Sequence, residues 1–311
     1  MKRILVLLFP ITFLIQCTHS NNSIPQTSFG TIDRIENFSS NFFAPRTIDI
    51  WLPDQYTPNK KYAVLYMHDG QMLYDATKTW NKQEWGVDEV MEELMNQKKI
   101  EDCIVVGIWN NSKTRHSDYF PQKPFEYLLK SYRDSLLHKV QRDHETNLFS
   151  INVRSDDYLK FLVQELKPYI DQHYSTKKEK ENTFIMGSSM GGLISMYAIC
   201  EYPEIFSGAA CLSTHWVGTF TDKNNPIPHQ FITYLDNNLP NPDTHKLYFD
   251  YGTETLDALY EPFQLQVDSI MRKHHFTNKN WKTSKFEGHD HSENAWKSRL
   301  DQPLLFLLSN D

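Results

Sequence analysis

The chain has 311 residues, of which 40% are hydrophobic and 23% charged, and its formal net charge is −7 at pH 7. This length can bury one sizeable core, and we interpret residues 35–311 as a single domain. A negative net charge without a run of Lys or Arg provides no basic field for phosphate backbones, so nucleic acid is not expected as a partner.

The first residues have the composition of an export signal. Lys2 and Arg3 precede an apolar stretch at 4–15, and Cys17 follows it. The stretch is shorter than the roughly 20 apolar residues that a membrane-spanning helix needs. We therefore expect residues 1–17 to be a signal peptide.

Residues 14–17, Leu-Ile-Gln-Cys, resemble a bacterial lipoprotein box, in which the cysteine becomes the lipidated N-terminus. Gln16 departs from the small residue usually found before that cysteine. Two interpretations stay open: an acyl chain on Cys17 anchors the protein to a membrane, or a plain signal peptide is removed and the protein is periplasmic. Both predict export by a bacterium, with residues 18–34 as a linker before the domain.

From residue 35 onward, short apolar runs alternate with longer helical patterns. The strand candidates are residues 62–67, 103–108, 183–186 and 247–250. Each is short, rich in β-branched or aromatic residues and bounded by polar ones, as in strands buried on both faces. Residues 47–52 alternate in polarity and predict an antiparallel edge hairpin with residues 30–38. This order predicts an α/β fold with a mostly parallel central sheet and helices on both faces.

Two segments between the strands contain helical patterns. Residues 156–174 have apolar side chains at helical spacing and a polar opposite face, which predicts a crossover helix. The long segment 121–154 interrupts the alternation, with a helical pattern at about 125–142. We interpret it as an insertion, either a lid over the edge of the sheet or an ordinary crossover that covers core.

A glycine-rich turn directly follows the predicted strand at 183–186. Residues 187–192 read Gly-Ser-Ser-Met-Gly-Gly, and a helical run follows from Leu193. This is the G-x-S-x-G pattern of a nucleophile elbow, in the strand-to-helix context that the motif requires. We therefore predict Ser189 as the nucleophile of a serine hydrolase, with the backbone N–H of Met190 as one donor to the oxyanion.

A serine nucleophile needs a histidine base and a carboxylate, which in this type of fold follow in the order acid, then histidine. The loop after the strand at 247–250 contains two acids, Glu254 and Asp257. Near the C-terminus lie two histidines, His289 and His291. Loop length decides which of these side chains meet, so the residues alone leave both choices open.

The second oxyanion donor is expected from the loop after the strand at 62–67. Gly70 allows the backbone to turn there, so the amide of Gln71 would point into the site. His68 precedes the serine, which is the wrong order for a base in this fold. We interpret His68 and Asp69 as residues that shape the loop.

Several segments together resemble a known family. They are residues 66–71, the elbow at 187–192, Leu212 with Ser213, and residues 288–291 followed by Glu293 and Trp296. Over about residues 35–308 the chain is similar to the Putative esterase family of α/β-hydrolases, which includes esterase D, feruloyl and acetylxylan esterases, and enterochelin esterases. The resemblance implies an α/β-hydrolase fold and a serine esterase that works through an acyl-enzyme.

The resemblance also implies roles for individual residues. The family's base follows a glycine and two further residues, which places that role on His291, with His289 as a neighbour. The resemblance assigns the role of the acid to Asp257, which lies within a Thr-Leu-Asp sequence, and Glu254 is the alternative. Trp109, Asn110 and Arg115 resemble the family's loop that lines the substrate site, and Trp216 follows the next strand. All four are candidates for substrate contact, with a role in packing or at the rim of the cavity as the alternative for each.

The expected substrate is a small-molecule or carbohydrate ester, such as an ester on plant cell-wall carbohydrate or a catechol siderophore ester. Two other functions stay open, acyl transfer to a sugar acceptor and non-catalytic binding on the same fold. No cofactor is expected, and the histidines lack the third ligand at suitable spacing that a metal site needs. We interpret Cys103, Cys200 and Cys211 as small buried hydrophobic residues, although a disulfide between the last two is compatible with export.

Overall fold

The computed structural model describes residues 24–142 and 145–309, and within these residues eight strands form one sheet. The strands are β1 (Thr31–Phe38), β2 (Arg46–Leu52), β3 (Ala63–His68), β4 (Cys103–Ile108), β5 (Thr183–Ser188), β6 (Gly208–Leu212), β7 (Lys246–Gly252) and β8 (Trp281–Phe286). Their order across the sheet is β1-β2-β4-β3-β5-β6-β7-β8. The β1–β2 and β2–β4 pairs are antiparallel and the other pairs are parallel, which confirms the mostly parallel sheet.

Helices connect most of the strands. They are α1 (Val87–Asn96), α2 (Arg115–Tyr119), α3 (Gln122–Tyr127), α4 (Lys130–His138), α5 (Ser155–Lys160), α6 (Lys167–His173), α7 (Met190–Glu201), α8 (Ile227–Asn238), α9 (Glu261–Lys273), α10 (Glu293–Lys297) and α11 (Asp301–Leu308). A π-helical segment, Phe161–Leu166, joins α5 to α6, so the helix predicted at 156–174 is confirmed. In the part of the chain that the structure describes, no helix is both long and apolar enough to cross a membrane.

The sheet is covered on both faces. Along β3, Val64 and Tyr66 belong to one apolar cluster, whereas Leu65 and Met67 belong to a second one. Successive side chains of a strand point to opposite faces, so the two clusters are the two layers between sheet and helices. The α/β-hydrolase architecture expected from the sequence is therefore confirmed.

The ordered domain begins before the predicted boundary at residue 35. Strand β1 starts at Thr31, inside the segment predicted as a linker, because its residues pair with β2 as the edge hairpin. The backbone N–H of Gln26 donates to the carboxylate of Asp75, so the chain contacts the domain before β1 begins. The predicted signal peptide and the lipoprotein box lie outside the described residues.

The predicted insertion at 121–154 packs against the core. Helices α3 and α4 lie within it, and Phe125, Leu136 and Phe149 are buried in the same apolar cluster as the helices on that face of the sheet. Burial of these side chains explains the apolar pattern in the segment. Motion of the segment as a lid stays a prediction.

The three described cysteines, Cys103, Cys200 and Cys211, carry free thiols. Burial raises the pKa of each thiol above its ordinary value. Because the thiolate is the reactive form of cysteine, these side chains behave as small hydrophobic residues.

Candidate active site

Ser189 lies at the sharp turn between β5 and α7. Its backbone angles, φ 57° and ψ −120°, are unfavourable for a residue with a side chain and cost of order 1–3 kcal/mol. The turn is so tight that a Cβ on Gly187 would lie 2.8 Å from the carbonyl carbon of Gly191. This backbone conformation places Ser189 at the carboxyl edge of the sheet, and the residue is only 8% exposed. Met190 is the first residue of α7, as the elbow motif predicts.

His291 and Asp257 are in direct contact. The imidazole Nδ1 lies 2.5 Å from Oδ1 of Asp257, whose side chain is fully buried. The backbone N–H of His291 donates to the hydroxyl of Thr255 at 2.9 Å, which fixes the loop beside the acid. Glu254, the alternative acid, is exposed. Of the two carboxylates, the one that contacts the imidazole is therefore Asp257.

The backbone of His289 positions the histidine loop. Its carbonyl oxygen accepts from the N–H groups of Thr253 and Glu254, both at 3.0 Å. A Cβ on Gly252 would lie 2.1 Å from that oxygen, so only glycine permits the approach of the two segments. The His289 ring faces Arg299, with 3.3 Å between Nδ1 and Nη1, whereas the ring of His291 faces the acid.

Ser189 and His291 line one cavity of about 680 Å³. Three of the predicted site residues line it as well: Gln71, Asn110 and Arg115. The cavity also contains three indole side chains, Trp80, Trp85 and Trp296. Within residues 24–142 and 145–309, no group of three or more His, Cys, Asp or Glu side chains is arranged to hold a metal ion.

The loop that carries Gln71 is packed tightly on β4. Asp69 has a left-handed backbone (φ 59°), and residues Gly70–Met72 form a 3₁₀ turn. A Cβ on Gly70 would lie 2.5 Å from the carbonyl carbon of Gly107, so the close approach requires glycine. The side-chain oxygen of Gln71 accepts from the N–H of Asn110 at 3.1 Å, which joins this loop to the one after β4.

Asp69 holds two of the predicted substrate-binding residues in place. Arg115 donates to its two oxygens at 2.8 and 2.6 Å, and the Asn110 amide donates at 2.7 Å. Burial raises the pKa of Asp69, but the charge of Arg115 and these hydrogen bonds outweigh it and hold the pKa below its usual value. The carboxylate therefore stays ionised, and the planar guanidinium is fixed at the cavity wall.

His68 is a buried neutral residue of the same loop. Its Nδ1 lies 2.8 Å from the hydroxyl of Tyr158. Burial lowers the pKa of His68 to about 3. The structure does not bring this histidine to Asp257, and its contacts are those of a residue that shapes the loop.

Trp109 and Trp216 do not line the cavity. The indole N–H of Trp109 donates to Asp49 at 2.8 Å, because this buried carboxylate on β2 lies beside the end of β4. Trp216 is fully buried, and its N–H donates to Gln264 at 3.0 Å. Both indoles satisfy their donors inside the protein, away from Ser189.

Tyr260 is a residue of the site that sequence reasoning missed. It is fully buried, its hydroxyl lies 2.7 Å from Nδ1 of His215, and its ring packs edge-on against His291 at 5.9 Å between centroids. Burial, together with the charge of Asp257, raises the pKa of Tyr260 well above its usual value. Burial lowers the pKa of His215, so that ring is neutral. No local motif marks Tyr260, because its partners come from distant segments.

Most of the chain matches a known protein family. Residues 39–307 match the family described as Putative esterase. The uncharacterized protein YjcH of Bacillus subtilis is 24% identical over 178 residues, which cover 57% of this chain and 59% of that protein. The chain thus spans less than two thirds of the length of this relative.

Two solved structures share the fold. A ferulic acid esterase from Anaeromyces mucronatus superposes with a TM-score of 0.60 and 18% identity, covering 90% of this chain and 91% of that one. An IroE-like serine hydrolase from Shewanella oneidensis gives a TM-score of 0.64 and 16% identity, covering 89% of this chain and 80% of that one. Since the family match spans the elbow, the acid loop and the histidine loop, the chain belongs to the Putative esterase family of α/β-hydrolases.

Proposed function

We propose that this protein is a serine esterase that hydrolyses carboxylic esters, with Ser189 as nucleophile, His291 as general base and Asp257 as the acid. The observation that carries the proposal is the 2.5 Å contact between His291 and Asp257 beside the cavity that Ser189 lines. A strained serine at a helix N-terminus and a carboxylate-bound histidine are the parts that acyl transfer requires.

The proposed reaction has two steps. His291 accepts the hydroxyl proton of Ser189 on Nε2 while Oγ attacks the ester carbonyl carbon. The tetrahedral oxyanion accepts hydrogen bonds from the amides of Met190 and Gln71, each worth roughly 2.7–4 kcal/mol in comparable sites. His291 then returns the proton to the leaving alcohol, and the acyl group stays on Ser189. Water, deprotonated by the same histidine, then attacks the acyl carbonyl carbon. The bond between the acyl carbon and Oγ of Ser189 breaks, His291 returns the proton to Oγ, and the carboxylic acid is released.

The lining of the cavity favours an ester of an aromatic carboxylic acid with a carbohydrate alcohol. Trp80 offers an exposed flat apolar surface for an aromatic ring, and the largely buried Trp85 and Trp296 add apolar edges to the cavity wall. Side-chain amides such as those of Asn110 and Gln71 offer groups for sugar hydroxyls. Ferulic acid is such an acid, and it appears in the description of the Anaeromyces mucronatus neighbour. Export to the periplasm or to a membrane surface would bring the protein to esters outside the cytoplasm.

Purified protein is expected to hydrolyse both p-nitrophenyl acetate and methyl ferulate, because the proposed machinery acts on the carbonyl group that the two esters share. Product release is followed by absorbance, and an organophosphonate probe followed by peptide mass spectrometry identifies the labelled serine. Absence of turnover together with absence of label on Ser189 would contradict the proposed chemistry and favour a binding protein. Product formed on an added sugar in preference to water would instead indicate an acyltransferase.

Trp80 is the residue expected to determine preference for the acyl group. Its side chain is 84% exposed although it lines the cavity, so its indole face is open to a substrate. The loop is anchored because the Asn81 amide donates to Glu293 at 2.7 Å and its oxygen accepts from the N–H of Gln83 at 3.1 Å. Exposed indole on an anchored loop offers a stacking surface at little entropic cost.

Trp80→Ala is expected to raise KM for methyl ferulate about 3- to 10-fold, the value of one aromatic contact. KM for methyl acetate, which has the same alcohol and no ring, is expected to stay unchanged. Acid release in a pH-stat measures both esters. Tyr127→Ala is the matched control, because Tyr127 is an exposed aromatic residue (57%) that does not line the cavity. Equal changes in KM for the two esters would rule out recognition of the aromatic ring by Trp80.

A further inference from the structure

A buried group of polar side chains lies around Oδ2 of Asp257, the carboxylate oxygen that does not contact His291. The hydroxyl of Ser213 lies 2.6 Å from Oδ2 of Asp257. The indole N–H of Trp296 lies 2.9 Å from the Ser213 oxygen, and Nη2 of Arg299 lies 3.0 Å from it. None of these four side chains is more than slightly exposed. Water therefore cannot replace one of these partners without a rearrangement.

The chemistry of the donors determines where the Ser213 proton points. An indole N–H and a guanidinium can only donate hydrogen bonds, so Trp296 and Arg299 both occupy lone pairs of the Ser213 oxygen. The one hydroxyl proton is then directed at Oδ2 of Asp257. That oxygen also accepts from the backbone N–H of Gly252 at 2.6 Å. An oxygen that accepts from two donors in this geometry has no room for a proton of its own.

These hydrogen bonds determine which ring nitrogen of His291 carries the proton. With Oδ2 saturated, Oδ1 of Asp257 faces Nδ1 of His291 as a carboxylate oxygen, so Nδ1 must carry a proton and donate it. The lone pair of the imidazole is then on Nε2, the nitrogen that must accept the Ser189 proton. We propose that Ser213, held by Trp296 and Arg299, is a positioning residue that fixes Asp257 and, through it, the Nδ1–H tautomer of His291. This inference rests on the proposed triad.

The backbone and charges around Ser213 are consistent with this role. Ser213 has a left-handed backbone (φ 42°), and its N–H donates to Asp250 at 3.0 Å. Arg299 donates to the same Asp250 oxygen at 3.0 Å and lies 4.0 Å from Oδ2 of Asp257. The buried guanidinium of Arg299 thus faces the buried carboxylates of Asp250 and Asp257. Its positive charge offsets the cost of placing two negative charges in a low-dielectric interior.

The test removes the hydroxyl with Ser213→Ala and Ser213→Gly. Glycine tolerates the left-handed backbone, so the second variant keeps the test valid if the first fails to fold. We expect kcat/KM for p-nitrophenyl acetate to fall roughly 10- to 100-fold, as for a lost hydrogen bond to a charged group, with KM little changed. Ser207→Ala is the matched control, because Ser207 has a buried hydroxyl at the opposite end of β6, bonded to the carbonyl of Thr183, and no change is expected.

The division of the effect between kcat and KM separates positioning from general damage. Ser189 and His291 line the substrate cavity, whereas Ser213 does not. Loss of the Ser213 hydroxyl is therefore expected to lower kcat, while KM for p-nitrophenyl acetate stays within about 2-fold of the wild type. Unchanged kcat/KM in Ser213→Gly would overturn the inference, and so would a loss that lies entirely in KM.

A spectroscopic measurement makes the test independent of turnover. In protein labelled with ¹⁵N-histidine, the His291 ring is expected to show a single Nδ1–H tautomer in the wild type and a mixture in Ser213→Gly. The same tautomer population in both proteins would overturn the inference even if the enzyme had no measurable activity. If the wild type shows the expected tautomer and Ser213→Gly shows a mixture, but neither protein turns over ester, the proposed esterase function fails while the positioning role of Ser213 stands.

Discussion

Ser189→Ala is expected to lower kcat for p-nitrophenyl acetate by roughly 10⁴- to 10⁶-fold, because no other group in the cavity replaces the nucleophile. His291→Ala should cause a loss of similar size, and the double variant should be little worse than either single one, since the two residues act as one unit. Initial rates at saturating ester measure the effect.

Ser195→Ala is the control for the loss of Ser189. Ser195 is a buried serine of α7, the helix that follows Ser189, and its hydroxyl donates to the carbonyl of Gly191 at 2.8 Å. Loss of the Ser195 hydroxyl is expected to leave kcat within about 2-fold of the wild type, because its hydrogen bond is neutral and lies within the helix. Retention of full activity by Ser189→Ala would mean that turnover does not pass through an acyl-enzyme on this residue.

Asp257→Asn is expected to lower kcat by about 10³- to 10⁴-fold through the wrong histidine tautomer. Two donors, the Ser213 hydroxyl and the Gly252 N–H, point at Oδ2 of Asp257. The asparagine oxygen must occupy that position, so its NH₂ group faces Nδ1 of His291. Nδ1 then has to accept, and the proton moves to Nε2, where it blocks removal of the Ser189 proton.

Glu254→Gln is the matched variant for the acid, because it removes a carboxylate from the same loop. Glu254 is exposed, and we expect kcat to change by less than about 2-fold, as for most surface substitutions. Comparison of the two variants in one assay distinguishes the acids directly. A large loss in Glu254→Gln with an active Asp257→Asn would reverse the assignment and require the loop to move during catalysis.

The two acid variants also relate to the Ser213 inference. If Asp257→Asn is inactive because His291 takes the wrong tautomer, Ser213→Gly should lower kcat for the same reason but to a smaller degree. One donor to Oδ2 of Asp257, the N–H of Gly252, remains in that variant. Non-additivity in the Ser213→Gly, Asp257→Asn double variant is expected for groups that share a hydrogen bond.

Local patterns in the sequence were sufficient for most of the sheet. The strands predicted at 62–67 and 103–108 are β3 and β4, because a run of buried β-branched and aromatic residues has few other stable arrangements between two layers of helices. Strand β8 (Trp281–Phe286) was not predicted. It lies at the edge of the sheet, where half-exposed lysines and a serine hide the apolar pattern.

The nucleophile elbow could be predicted from local sequence, because the strand, the glycine turn and the helix are contiguous. Which acid meets which histidine depends on tertiary packing, because Asp257 and His291 are 34 positions apart and their contact requires Gly252 to admit the carbonyl of His289. Tertiary packing also turns the indoles of Trp109 and Trp216 inward to buried acceptors. Local sequence encodes burial and turns, whereas a hydrogen bond between distant segments exists only after the layers have packed.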